Sequence, residues 1–295
     1  MTKTAFISII GCPNVGKSSI LNRLLGQKVA IVSHRPQTTR TKIVGILTKG
    51  ETQLVFTDTP GFHRPRTKLG EVMMKNVEES ISGVDACLMV VEPQGEIRSA
   101  EKEMIGILKA DKIPAILAIN KIDLLKQKEL LAERIAEFNA LHDFSATIPV
   151  SAINGDNMEA LEKELSALAK PSPHFFPEDA LTDQPERVLA GEIIREKLLR
   201  NLDKEIPHGT AVVVEKMRER EDSDLMDIDA VIYCEKESHK GIIIGKNGSM
   251  LKKVSTQARE DMEYFFQCRI NLRCWVKVKD GWRNKSGLIH QFELD

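Results

Sequence analysis

The sequence predicts two folded units in one chain: an α/β domain on a mostly parallel sheet, followed by a smaller α+β domain of order α-β-β-α-α-β. Three observations carry this expectation. Over the first 170 residues short apolar runs alternate with amphipathic stretches of helical period, the pattern of a parallel sheet covered on both faces. Prolines at 171, 173, 177 and 185 then interrupt it, and neither a helix nor a central strand continues through such a stretch. A length of 295 residues also exceeds what one compact core usually holds. The chain is therefore divided into a first domain at 1–170, a linker at 171–186 and a second domain at 187–295.

The buried strands of the first domain are expected at 5–11, 53–59, 86–92, 114–120 and 147–152, with helices at 17–25, 69–81, 98–110, 127–141 and 156–169. The stretch KIVGILTKGETQLVFTDT reads as a hairpin turning at Lys49-Gly50-Glu51, which adds one antiparallel edge strand. In the second domain an amphipathic helix at 187–204 carries Val188, Ile194, Leu198 and Leu202 among its apolar positions. Strands at 209–217 and 227–235 follow, joined by the charged turn RERED. A short helix at 238–244 leads to the glycine loop GKNG. A longer helix comes next, apolar at 251, 254, 258, 262 and 265, and a last strand at 268–278.

Composition narrows the class. The chain is 42% hydrophobic and 29% charged, which excludes a disordered or low-complexity protein. Its longest apolar runs are far too short to span a bilayer, and MTKTAFISIIG has no signal-peptide pattern. Five cysteines at 12, 87, 234, 268 and 274 form no CxxC pair and no metal spacing, so reduced thiols in a cytoplasm are expected. The net charge of −1 conceals an asymmetry. Residues 236–285 hold twelve Lys/Arg against five Asp/Glu, a net +7, leaving −8 on the remainder. Such a block suits a polyanionic partner.

Four motifs stand in order at predicted strand ends. GCPNVGKS at 11–18 fits G-x-x-x-x-G-K-[ST] between a strand and a helix. Starting from Gly11, the amides of Asn14, Val15, Gly16, Lys17, Ser18 and Ser19 can surround phosphates at a helix N-terminus. Lys17 would reach the outer phosphates, and the Ser18 hydroxyl would ligate Mg²⁺. DTPG at 58–61 supplies Asp58 to hold Mg²⁺ through water and the Gly61 N–H to sense a terminal phosphate. In NKID at 120–123 the Asp123 carboxylate accepts from N1–H and the N2 amine of guanine, a pair that adenine lacks. Asn120 would tie the base loop to the phosphate loop, with the stem of Lys121 over the base. Ser151 and Ala152 end the next strand, where the Ala152 N–H meets guanine O6. Together they describe a GTP site in a P-loop GTPase domain.

The polar segment PQTTRTK at 36–42 supplies a threonine as the second Mg²⁺ ligand, with Thr39 favoured and Thr38 beside it. This segment and 58–70 are expected to order with GTP and loosen on hydrolysis. The hydrolytic set is then Lys17, Asn14, Thr39 and Gly61. Phe62 follows Gly61, where many GTPases carry a water-orienting Gln, so the intrinsic rate is expected to be slow. Asn14, together with this apolar residue, resembles GTPases in which K⁺ sits where an arginine finger would.

The second glycine loop lacks a following Lys-Ser/Thr and any Asp motif. Its pattern, IIIGKNG-x-x-L within α-β-β-α-α-β, resembles a type II KH domain, which implies backbone approach to a single-stranded nucleic acid at Gly245, Lys246, Asn247 and Gly248. Lys240, Lys252 and Lys253 would lie near the nucleotide backbone, while Ile243 and Ile244 shape the base groove or the core.

Taken whole, the chain resembles the Era family of bacterial GTPases, which assist small-subunit ribosome assembly. The carrying residues are GCPNVGKS, QTTR, DTPGFH, NKID and VSA, then FFPED and TDQPER in the linker, then EIIREKLL and GIIIGKNG, over nearly all 295 residues. The resemblance implies binding near the 3′ end of small-subunit rRNA, association with the small ribosomal subunit, and peripheral contact with the inner face of the cell membrane; a monomer is expected. The competing reading is a signalling or membrane-surface GTPase whose second domain binds a protein. The +7 block and GKNG favour RNA over it.

Overall fold

A computed structural model describes every residue except Pro36, Lys128, Asp222 and Asp295. The first residue of the 36–42 segment, one near the start of the helix expected at 127–141, and one in the RERED turn therefore lie outside the described residues. The chain forms two compact units: Met1–Ala30, Thr39–Pro65 and Val72–Asp183 make the first, and Ile31–Thr38, Arg66–Glu71 and Gln184–Asp295 the second.

The first unit is built on a sheet of seven strands: β1 (Lys3–Ile10), β2 (Ile43–Lys49), β3 (Thr52–Asp58), β4 (Ala86–Val91), β5 (Ala115–Asn120), β6 (Ala146–Val150) and the two-residue β7 (Lys170–Pro171). Its order is β2-β3-β1-β4-β5-β6, with β7 on β1. All pairs are parallel except the β2–β3 hairpin, which turns at Gly50 as expected, and β7, which runs antiparallel to β1. Every residue of β4 and β5 is buried, which is why these strands read as unbroken apolar runs rather than alternations. The helices are α1 (Lys17–Leu25), α2 (Lys68–Ile81), α3 (Ser99–Asp111), α4 (Glu129–Leu141) and α5 (Met158–Ala167). The parallel strands end together, so the loops after β1, β3, β5 and β6 gather at the carboxyl edge, where open α/β sheets bind ligands.

The second unit runs α6 (Glu186–Asn201), β8 (Ala211–Glu219), β9 (Leu225–Cys234), α7 (Glu237–Ile244), α8 (Ser249–Phe266), β10 (Arg269–Val278) and α9 (Ser286–Gln291). The sheet order is β10-β9-β8, parallel between β9 and β10 and antiparallel between β8 and β9. Ile194 and Leu198 from α6, Ile228, Ala230 and Ile232 from β9, and Val254, Ala258 and Met262 from α8 close its core. Helix α9 extends the expected order. Its anchors are Phe292, stacked on Tyr233 at 4.6 Å, and the buried Trp282, whose Nε1 donates to the Gly209 carbonyl.

The expected linker at 171–186 is corrected. The chain stays with the first unit as far as Asp183. Gln53, fully buried in β3, accepts through Oε1 from the amides of Phe175 and Phe176 and donates through Nε2 to the Phe176 carbonyl. The Leu181 carbonyl accepts from the Ile46 N–H, and the Thr182 hydroxyl donates to the Val44 carbonyl. Proline forbids helix and central strand, but it leaves its neighbours free to bond along a sheet edge. Nor is the first domain continuous over 1–170, since 31–38 and 66–71 belong to the second unit.

Candidate functional site

The loop after β1 wraps tightly and enters α1 through Gly16, whose φ of 98° is left-handed. A Cβ on Gly16 would stand 2.2 Å from Asn120 Nδ2, so glycine is needed both for conformation and for the approach of the base loop. Lys17 opens the helix, and its Nζ donates to the carbonyls of Gly11 (3.1 Å) and Cys12 (3.2 Å). Burial pushes the Lys17 ammonium down from its ordinary value, opposed by the nearby Asp58 carboxylate. Burial likewise pushes the Asp58 carboxyl up, opposed by Lys17 and by the hydroxyls of Ser18 and Thr39. Both groups are held out of water where a polyanion and its cation would each relieve the other.

Ser18, Thr39 and Asp58 converge. Ser18 Oγ donates to Asp58 Oδ2 at 2.6 Å, Thr39 Oγ1 reaches the same oxygen at 3.3 Å, and the two hydroxyls are 3.1 Å apart. Asp58 is fully buried, yet its Oδ1 has no hydrogen-bond partner among the described residues. Two hydroxyls and a carboxylate with one orphaned buried oxygen form an all-oxygen donor set for a hard divalent cation such as Mg²⁺. Between the two candidate threonines, Thr39 makes this contact, whereas the Thr38 hydroxyl donates to the Arg35 carbonyl.

The base end is equally connected. Asn120 Nδ2 donates to the Val15 carbonyl (2.9 Å), and Asn120 Oδ1 accepts from the Ala152 N–H (3.1 Å). One side chain thus ties phosphate loop, base loop and the loop after β6 together. Ser151 Oγ donates to Asp123 Oδ1 at 2.6 Å and orients the carboxylate. Lys121 Nζ donates to the Asn14 carbonyl and pairs with Glu92 at 2.7 Å. Glu92 directly follows β4, outside any motif, and was not anticipated; its only sequence signal is its place just beyond a strand end. Asn14 itself is left-handed, with φ of 66°.

Gly61 lies against the phosphate loop. A Cβ there would meet Pro13 Cα and N at 2.7 Å. The Phe62 N–H donates to the Gly11 carbonyl, and the ring is buried in the core. Phe62 therefore fixes where Gly61 sits and, as its chemistry dictates, offers no hydrogen bond to a water.

In the second unit, Gly245 (φ 74°) and Gly248 (φ 78°) bracket the turn between α7 and α8. Lys246, Asn247, Lys252 and Lys253 are exposed, and Lys240, Ile244 and the two glycines half-buried. Ile243 is fully buried. Of the two roles open to it, the core is the one it takes, and base contact by its side chain is withdrawn. Its neighbour Ile242, 50% exposed, was overlooked and supplies the accessible apolar surface. Three successive isoleucines hide which one faces outward; only the register of α7 on the core decides it.

The carboxylate–hydroxyl trio beside a phosphate loop, with a base pocket built around an Asp, is the equipment of a P-loop GTPase, and the second unit has the helix–GKNG–helix of a KH domain. Residues 6–121 match the family described as 50S ribosome-binding GTPase, and residues 205–283 match the KH domain family. GTPase Era of Clostridioides difficile is 47% identical over 292 residues, covering 99% of this chain and 98% of that one, and GTPase Era of Ruminiclostridium cellulolyticum is 49% identical over 287, covering 97% and 96%. Among solved structures, a variant of Aquifex aeolicus Era bound to GDP and AlF4⁻ superposes with TM-score 0.95 at 33% identity, covering 99% of both chains. An Era in complex with MgGDPNP and nucleotides 1506–1542 of 16S ribosomal RNA matches equally, at TM-score 0.95 and 33% identity over 100% and 99%. The chain belongs to the Era GTPase family.

Proposed function

We propose that this GTPase is a nucleotide-controlled switch whose KH domain binds single-stranded rRNA at the 3′ end of the small-subunit rRNA, and that it assists small-subunit assembly. The observation that carries the RNA half is the GKNG turn. A Cβ on Gly245 would stand 2.8 Å from the Met250 backbone, and the turn presents exposed Lys246 and Asn247 at the start of α8. Such a surface accepts a sugar-phosphate backbone while Ile242 and Ile244 offer apolar contact to bases. The solved Era bound to 16S rRNA nucleotides 1506–1542 supports carrying that ligand to this chain.

For hydrolysis, the phosphate loop and Lys17 orient the triphosphate, while Ser18 and Thr39 hydroxyls and Asp58, through water, hold Mg²⁺. When bound, the metal supplies positive charge against the charge developing on the transferring phosphoryl group. The Gly61 N–H lies ready for the terminal phosphate, and Asp123 with the Ala152 N–H selects guanine. With Phe62 buried, no side chain follows Gly61 to orient water, and a slow intrinsic rate follows. Asn14, exposed and left-handed at the mouth of the loop, is the residue assigned to K⁺. Turnover is expected to rise in K⁺ over Na⁺ and to lose that gain in Asn14→Ala; equal rates in the two salts remove this assignment.

We place the protein in the cytoplasm as a monomer, with peripheral contact at the inner membrane face. No helix among the described residues is long and apolar enough to cross a membrane.

The test is binding of a labelled oligonucleotide matching the rRNA 3′ end, at fixed salt, to protein loaded with GDP or a non-hydrolysable GTP analogue. Tighter binding with the analogue, by about 5- to 150-fold for an ordinary coupling of about 1–3 kcal/mol, and its loss in Lys246→Asp/Asn247→Asp, is expected. Weak binding indifferent to nucleotide and mutation would favour a protein partner for the second unit.

A further inference from the structure

Helix α6 carries three consecutive charged residues, Arg195, Glu196 and Lys197, at 1%, 0% and 5% exposure. Charges are held so deep only when paired, because an unpaired one would carry its whole desolvation cost. Arg195 and Glu196 each find partners both within α6 and in 31–38, which belongs to the same compact unit, while Lys197 pairs with Glu196 and Asp261. Glu196 Oε1 accepts from the Val32 N–H at 2.9 Å and from Arg200 at 3.0 Å, and Arg200 also donates to the Val32 carbonyl. Arg35 Nε donates to the Leu199 carbonyl at 2.6 Å, and its Nη2 pairs with Asp203 at 2.9 Å. Arg195 donates to the carbonyls of Gln37 (3.4 Å) and Thr38, while Glu192 grips the same guanidinium through two bonds of 2.6 Å. Of these six bonds that join 31–38 to residues 195–203, four end on main-chain atoms of 31–38. They fix a backbone path rather than read side chains.

The bond to Thr38 falls one residue before Thr39, whose hydroxyl completes the donor set around Asp58. A hydroxyl ligand on a short side chain is placed by its backbone, so the peptide groups immediately before it decide whether it reaches the metal. We infer that Arg195 is a positioning residue for GTP hydrolysis: its planar fork, clamped by Glu192, fixes the carbonyls of Gln37 and Thr38 and thereby presents the Thr39 hydroxyl to Mg²⁺. The inference rests on the metal role given to Thr39 above. A lysine in its place could donate at one point but could not span two carbonyls and a carboxylate in one plane.

The experiment compares full-length wild type, Arg195→Gln, Arg195→Lys, Glu192→Gln and Thr39→Ala. Four quantities are read: kcat for GTP, the Mg²⁺ concentration giving half-maximal turnover, GDP affinity, and the melting temperature. Arg195→Gln is expected to lower kcat about tenfold and to raise the half-maximal Mg²⁺ concentration severalfold, with GDP affinity within twofold of wild type. Arg195→Lys recovers part of both. Glu192→Gln, which loosens the fork without removing it, moves both in the same direction by less and keeps the inference open to test if Arg195→Gln does not fold. A lower melting temperature with an unchanged Mg²⁺ requirement in the Arg195 and Glu192 variants makes Arg195 structural only and overturns the inference. Thr39→Ala separates the two levels. If it raises the Mg²⁺ requirement and Arg195→Gln does not, only the positioning role fails; if it leaves the requirement untouched, the metal role of Thr39 fails first.

Discussion

Asp58 spends one carboxylate oxygen on two hydroxyls and keeps the other buried without a partner among the described residues, an arrangement that costs stability in a bare protein and makes sense at a metal site. Asp227 shows the opposite use of the same side chain. On the outward face of β9, the Arg220 guanidinium makes two bonds of 2.8 Å to it and Asn271 a third of 2.7 Å, and they hold its carboxyl well below the usual 3.8. The folded protein therefore gives up this proton more readily than the unfolded chain. The resulting stability is present above pH 3.8 and is lost as pH falls toward the folded value. Asp227→Asn should melt lower than wild type at pH 7, with the gap closing as the pH drops below that point; the gap stays small and shrinks in salt because the pair lies at the surface. The motif residues were legible one by one, since GCPNVGKS, DTPG, NKID and SA each name a chemistry by spacing alone. Ile242, Glu92 and Arg195 were not. Nothing local distinguishes an outward isoleucine from an inward one in a run of three, or a buried arginine from a solvated one within REK.

At the level of elements, the turn between α7 and α8 depends on two glycines of positive φ, Gly245 and Gly248, of which Gly245 is the crowded one. Gly245→Ala forces a Cβ to within 2.8 Å of Met250 Cβ and N and places a side chain at φ 74°, ψ 172°, a region close to glycine-only, at about 1–3 kcal/mol. RNA affinity is expected to fall at least tenfold while RNA-free GTP hydrolysis stays unchanged. Gly241→Ala, whose Cβ meets nothing within 4 Å among the described residues, is the control and should leave both intact. A filter-binding titration beside a phosphate-release assay checks the pair. Element order was readable almost throughout because strand and helix periods alternate cleanly, and the β2–β3 hairpin was fixed by one glycine. Element ends drifted by one to three residues, the most at the end of α6, as fraying and caps dictate. Helix α9 was missed because only Ile289 of its six residues is buried, and one apolar anchor sets no period.

For the molecule as a whole, the division into units was the least legible feature. The prolines after 170 announced a boundary that the hydrogen bonds of Gln53, Ile46 and Val44 carry on to Asp183. Long-range bonds of this kind, spanning more than 120 residues, leave no mark in a local window. A fragment of residues 1–183 is accordingly expected to melt higher than one of residues 1–170, and calorimetry of the two decides it. The interruption of the first unit by 31–38 was likewise invisible, because residues near a phosphate loop give no sign of packing with a helix more than 150 positions later.

The bonds from Leu181 and Thr182 also bear on how the protein is made. Strand β2 closes one side of the sheet, and an open strand edge is a template for pairing with another chain. The two residues that cover it emerge from the translating ribosome well over a hundred positions after β2 itself, so for much of synthesis that edge lies bare. Vulnerability to misassembly during translation should therefore peak before residue 183 and decline after it: the last part of the first unit to be made is the part that seals it.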